Sequence, residues 1–178
     1  MRVIAGEFGR RKLIAPKGET TRPTPDRLRE ALFSIVATQI EGAHFTDFYS
    51  GSGAVGFEAL SRGAARCTFI EHDRAALEAL RQNVKALGVE SRTELIAKPV
   101  GSVLHQRPWK GILFLDPPYE AVAEYESCLQ WFGKSEAELV LVQHDRRLKL
   151  ADQFGRLKCT RQLKQGDNRV SFYFLAGG

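Results

Sequence analysis

The sequence predicts an α/β protein built on a mostly parallel sheet, and three observations carry that prediction. Short apolar runs alternate with helical patterns from Ala43 onward, which is the pattern of crossover units. Runs such as GILFL and LVLVQ are apolar throughout rather than alternating, as strands buried on both faces are. The last two runs, Arg156–Leu163 and Arg169–Leu175, are joined only by KQGDN, too short for a helix, so they form an antiparallel hairpin. Seven strands are expected, with helices on both faces of the sheet.

Taken in order, residues 1–23 are irregular or strand-like, punctuated by Gly6, Gly9, Pro16, Gly18 and Pro23. Thr24 can cap a helix that Pro25 opens, with Asp26 in its electropositive first turn. Leu28, Ala31, Leu32, Ile35 and Val36 then share one face. His44–Tyr49 reads as the first strand and Ala54–Arg62 as the helix after it. Arg66–Glu71 is the second strand. Asp73–Leu87 is a helix with Leu77, Leu80, Val84 and Leu87 in one stripe and Gly88 as its stop. Arg92–Ala97, Gly111–Leu115 and Leu139–Gln143 are the third, fourth and fifth strands, with a helix over Glu120–Trp131.

The 178 residues suit one domain, 1–178, with 1–23 as a small basic N-terminal appendage. No apolar run approaches a membrane span, and the start MRVIAGEFGRRKL lacks the features of a signal peptide, so a cytoplasmic location is expected. Cys67, Cys128 and Cys159 are odd in number and widely spaced, which argues against disulfides and structural zinc. The four histidines, His44, His72, His105 and His144, show no metal-ligand spacing; His144 is the one expected near a cleft. No metal is expected. The net charge of +5 is uneven: residues 1–30 carry eight Lys/Arg against four Asp/Glu, residues 146–178 eight against two, and the stretch between them ten against fifteen. Basic termini around an acidic middle suggest a polyanionic partner.

The stretch DFYSGSGAVGFEALSRGA places Gly51, Gly53 and Gly56 directly after the first strand. There a loop without Cβ atoms can turn tightly and present its N–H groups to a ligand. Gly56 would let the following helix pack closely on a strand. Glu71 ends the second strand 20 positions after Gly51, where a carboxylate can accept hydrogen bonds from ribose hydroxyls. Asp47 lies within a strand otherwise ready for burial and needs a partner, which an ammonium group could supply.

The fourth strand runs into Asp116-Pro117-Pro118-Tyr119. A flat base could stack on Tyr119 while its exocyclic amine donates to the Asp116 carboxylate and the Pro117 carbonyl. That arrangement aims the nitrogen lone pair at an electrophile and accepts positive charge as it attacks.

On these residues the chain resembles the class I, Rossmann-like S-adenosylmethionine methyltransferases that modify exocyclic amines. MRVIAGEFGRRKL, TRPTPDRLREALFSIV and GDNRVSFY extend the resemblance, which is to the bacterial RsmD family of 16S ribosomal RNA guanine-N2 methyltransferases. It covers essentially the whole chain. It implies S-adenosyl-L-methionine as cofactor, with Asp47, Tyr49, Ser50, Gly51, Gly53, Glu71 and His72 around it. Asp116, Pro117, Pro118 and Tyr119 would hold the target guanine. Arg10, Arg11, Arg22 and Arg27 would meet small-subunit ribosomal RNA, free or in an assembling 30S particle, and the protein would act as a monomer. Two departures stand out. Tyr49-Ser50 replaces the more usual Phe-Ala, and AKPVGS puts Lys98 where an acidic or amide residue often meets adenine. The rival readings are an adenine-N6 methyltransferase acting on DNA or RNA and a non-catalytic RNA-binding module. Carbon-5 pyrimidine methylation requires a cysteine nucleophile, and none is near Asp116–Tyr119 in sequence.

Overall fold

Apolar runs bounded by glycines and capping residues become strands and helices in the computed structural model, which describes residues 1–16, 24–118 and 120–176. The chain divides into two units, Met1–Pro99 and Val100–Gly178.

The first unit begins with helices α1 (Asp26–Ile35) and α2 (Ala37–Ile40). The α1 cap is Pro25 rather than Thr24: Pro25 is extended, with ψ 142°, and its side chain makes no capping bond. The buried face also differs from the expected stripe, because Arg29 and Phe33 turn inward while Ala31 and Ile35 stay partly exposed. Then come β1 (His44–Phe48), α3 (Ala54–Ser61), β2 (Arg66–Glu71), α4 (Arg74–Leu87) and β3 (Thr93–Ala97). The Asp73 side chain caps α4 by accepting from Ala76 N at 2.8 Å, and Gly88 ends it at φ 68°. The strands pair in parallel, β2 lying between β1 and β3, with His44 opposite Arg66 and Cys67 opposite Thr93. Phe45, Phe48, Phe57, Leu60, Phe69 and Leu80 fill the core of this unit.

Residues 1–16 are firmly docked on this unit. Arg2 bridges Lys12, and Val3, Phe8 and Leu13 are buried. The wholly buried Glu58 carboxylate of α3 accepts from Ile4 N (2.7 Å), Ala5 N (3.1 Å) and Arg62 Nε (2.7 Å), which compensates the loss of its hydration. Asn83 of α4 exchanges two hydrogen bonds with the Ile14 backbone and donates to Ser52 O, so it fastens the N-terminal segment to the glycine loop.

The second unit contains α5 (Val100–Val103), β4 (Lys110–Leu115), α6 (Val122–Phe132), β5 (Glu136–Asp145), β6 (Gln153–Phe154), β7 (Leu157–Gln165) and β8 (Asn168–Leu175). Here β4 and β5 pair in parallel, while β5–β8, β8–β7 and β7–β6 pair antiparallel. The expected α/β class is the observed one, with eight strands among the described residues instead of seven. The extra strand is β6, whose two residues carry no periodic signal of their own. Among the described residues, no helix is long and apolar enough to cross a membrane.

Candidate functional site

At the carboxyl end of β1 the chain turns through Tyr49, a non-glycine residue at φ 64°. Such a conformation costs of order 1–3 kcal/mol and persists only where its surroundings enforce it. Ser50 enforces it. Its hydroxyl accepts from Ile70 N (3.0 Å) and lies 2.6 Å from Asp47 O and 3.2 Å from Ile70 O, while Ser50 N donates to Ile70 O. The departure from alanine thus ties the loop to β2 rather than adding a free hydroxyl to a pocket.

Gly53 follows at φ 80° as the α3 N-cap, where a Cβ would fall 2.5 Å from Leu80. At Gly56 a Cβ would meet the Phe69 ring at 2.3 Å, so this glycine lets α3 lie against β2. Because Gly53 has no side chain, the cap comes from β1: Asp47 Oδ2 accepts from Gly56 N at 3.0 Å. A buried carboxylate at a helix N-terminus is stabilised by the dipole and by the unsatisfied N–H groups there. Asp47→Ala is therefore expected to lower unfolding free energy by about 1–3 kcal/mol in denaturant titration, whatever its effect on ligands. Wild-type stability in that variant would show that the cap is unimportant.

Glu71 closes the same loop. Its Oε2 accepts from Gly51 N at 2.8 Å, and its Oε1 from His72 N (2.6 Å) and Asp73 N (2.7 Å). Three N–H groups thereby hold the carboxylate at the end of β2. A carboxylate has room for about four such bonds, so one acceptor position remains for a hydroxyl. His72 contributes its backbone N–H while its side chain is exposed. Nothing lies within 4 Å of where a Gly51 Cβ would be, so the loop has open space beside it.

In the second unit Asp116 follows the fully apolar run of β4 and keeps a partly exposed position. Burial of the carboxyl pushes it up to about 7. Pro117 is buried, and its carbonyl accepts from the Tyr125 hydroxyl of α6 at 3.2 Å. A carbonyl has a second lone pair, so this bond leaves room for another donor. The Pro118 carbonyl accepts from Ala121 N at 2.8 Å, which closes the turn into α6. Tyr119 lies outside the described residues. Tyr125 was missed in the sequence; its signal was a tyrosine on the buried stripe of α6, where a hydroxyl needs a partner.

The expected RNA-facing residues differ among themselves. Arg10 and Arg27 are exposed. Arg11 donates to Ala86 O at 2.6 Å, near the carboxyl end of α4. Arg22 lies outside the described residues. His144 is not at a cleft: it is buried, its ring nitrogens meet Asp145 O and Ser171 Oγ at 2.9 Å each, and burial lowers its pKa. Burial and the charge of Asp47 push the Cys67 thiol well up, the opposite of an activated nucleophile. No group of His, Cys, Asp and Glu able to hold a metal occurs among the described residues.

The family model described as Conserved hypothetical protein 95 matches residues 1–174. The chain is 32% identical over 191 aligned residues to YlbH of Bacillus subtilis, a candidate rRNA methyltransferase, covering 99% of this chain and 100% of that one. It is 39% identical over 119 residues to Ribosomal RNA small subunit methyltransferase D of Escherichia coli; that match spans 67% of this chain and 60% of the relative. Among solved structures it is similar to yhhF of Escherichia coli, a candidate methyltransferase, with 32% identity, a TM-score of 0.88, and coverage of 100% of this chain and 99% of that one. Matched along nearly its whole length, the chain belongs to this family, the RsmD family of methyltransferases.

Proposed function

We propose that the protein methylates the exocyclic N2 of a guanine in small-subunit ribosomal RNA with S-adenosyl-L-methionine, its two units acting as one methyltransferase domain. The observation that carries this reading is Asp116: a partly exposed carboxyl at the end of a buried strand, next to the Pro117 carbonyl and followed by two prolines, is suited to holding an amine. Family membership supplies the reaction class. The residues of the first unit fit the cofactor, since Glu71 retains an acceptor position and the glycine loop faces open space. Glu71 would accept from the ribose, with Asp47, Tyr49, Ser50, Gly51, Gly53 and His72 shaping the loop around the methionine part. Lys98, exposed beyond β3, does not suit the adenine amine, so adenine would rest on backbone at Ala97 or Val100.

S-adenosyl-L-methionine supplies an electrophilic methyl on a positively charged sulfur. Asp116 and the Pro117 carbonyl accept the two amine hydrogens, so the nitrogen lone pair faces outward. Held by the glycine loop and Glu71, the cofactor would supply that methyl to the nitrogen, the C–S electron pair staying on sulfur. The nucleophile is neutral, so no base is needed beforehand. A carboxyl near 7 can take the surplus proton afterwards. Pro118 sets the turn and Tyr119 would stack on the base. The guanine must be unstacked, which costs a few kcal/mol in a duplex and less in a loop. Arg10, Arg11, Arg22 and Arg27 would meet the RNA, and the enzyme would act as a monomer in the cytoplasm on free RNA or a 30S particle.

The test is incubation with labelled S-adenosylmethionine and unmodified small-subunit RNA or particles, followed by digestion to nucleosides. Label is expected in N2-methylguanosine. Label in N6-methyladenosine would establish the adenine reading instead, and RNA binding without transfer would establish a non-catalytic module.

A further inference from the structure

The C-terminal hairpin carries a charge pattern that methyl transfer does not use. Strands β7 and β8 together contain Lys158, Arg161, Lys164 and Arg169 and no Asp or Glu. Residues 146–178 hold two carboxylates, and one of them, Asp167 in the hairpin turn, is paired with Arg146 at 3.1 Å. The other, Asp152, is exposed just before β6. Lys158, Arg161 and Lys164 are exposed, and none makes an ion pair among the described residues. They recur at every third position of β7, six residue steps or roughly 20 Å at about 3.3 Å per step, a little less because the register shifts between Cys159 and Arg161. Lying opposite Phe174, Phe172 and Arg169, Lys158 and Arg161 share one face and Lys164 is on the other, so the strand itself is what they have in common. β6 pairs only with Leu157 and Lys158, so from Thr160 to Gln165 the outer edge of β7 has no strand partner among the described residues.

Charged residues on an edge strand also guard against edge-to-edge association. That duty calls for charge on the edge, Lys above all, but it does not require that both strands of the hairpin lack every carboxylate. A single sign spread along the strand, with Asp167 at one end already paired to Arg146 and Asp152 at the other end the one carboxylate left beside it among the described residues, fits a polyanion.

We infer that β7, through the exposed Lys158, Arg161 and Lys164, the last two on its unpaired outer edge, is a docking track for the phosphodiester backbone of the substrate RNA, remote from the residues that hold the guanine in sequence and in role. The inference rests on RNA being the substrate. Contacts of this kind position an RNA without reading its bases, and they release counterions, so their signature is salt dependence. The track would select structured RNA of sufficient length over a short fragment carrying only the target guanine.

The experiment compares wild type with a Lys158→Glu, Arg161→Glu, Lys164→Glu variant, using small-subunit RNA and labelled S-adenosylmethionine. All three side chains are exposed, so the variant is expected to fold, which thermal melting verifies. A Gln triple variant serves as a second form that removes charge without reversing it. KM for RNA is expected to rise at least tenfold, with kcat and S-adenosylmethionine affinity unchanged. The slope of log affinity against log salt should fall by roughly 2 to 3 for the three lost contacts. Wild-type KM and slope in both variants would overturn the inference. So would unchanged RNA affinity with new self-association in the ultracentrifuge, which would assign the cations to edge protection. Should wild type bind RNA with a hairpin-dependent slope yet methylate no guanine, the functional reading would fail while the track stood.

Discussion

Asp116→Asn is expected to lower kcat by about 10²- to 10³-fold while S-adenosylmethionine affinity stays within about twofold. The amide presents one acceptor oxygen where the carboxylate presents two, and its NH₂ group opposes the amine it should receive. It also lacks the negative charge that offsets the positive charge developing on nitrogen. The pH profile separates this role from a structural one. With the carboxyl pushed up to about 7 by burial, the ionised acceptor is lost as pH falls through that value. The wild-type kcat/KM should therefore drop about tenfold per unit below roughly pH 7, and the residual activity of the variant should lack that limb. Stability runs the other way. Folding raises this acid from 3.8, so the folded protein holds a proton that the unfolded chain releases. Its favourable contribution is complete below about pH 3.8 and is lost as pH rises toward 7. Relative to wild type, Asp116→Asn should gain stability across that interval in denaturant titrations. Normal turnover in the variant would remove the basis of the proposed chemistry.

The second large effect is at Glu71. Glu71→Ala leaves Gly51 N, His72 N and Asp73 N without their common acceptor and removes the group assigned to the ribose. Hydrogen bonds to a charged group contribute about 1.5–3 kcal/mol each, and water can replace part of that in a loop this near the surface. Affinity for S-adenosylhomocysteine, measured by calorimetry, should fall at least 100-fold. Glu71→Gln should be nearly as damaging, because its amide can turn only one oxygen toward three donors. Affinity near wild type in either variant would show that the carboxylate only closes the loop. The Asp47→Ala variant gives the stability cost of loosening the same turn from the α3 side, against which the loss at Glu71 can be compared.

Much of this site was readable from residues in order. The glycines after β1, the acid at the end of β2 and the Asp-Pro-Pro turn after β4 are short-range patterns, and each occurs where a strand meets a loop. Their partners were not readable. Asp47 needed a partner, and one that the sequence did not name is the N–H of Gly56, nine residues on, at the start of a helix. Ser50 stood out only as a departure from the usual alanine, and its hydroxyl clips the loop to Ile70. The Pro117 carbonyl also accepts from Tyr125, a partner that nothing near it in sequence names.

Periodicity and turn chemistry are local, set by side-chain spacing and backbone preference within a few residues, so the order of strands and helices and the closing hairpin followed directly from the chain. β6 escaped because two residues are too few to show a period. Burial of polar groups is a long-range matter, decided by which distant donors and acceptors converge in space. Nothing near Glu58 announces that it will bind the N–H groups of Ile4 and Ala5, more than fifty positions earlier, or that the guanidinium of Arg29 will be enclosed beside Arg2 O and Asp26. Desolvation made those pairings obligatory, and only the folded chain could specify the partners.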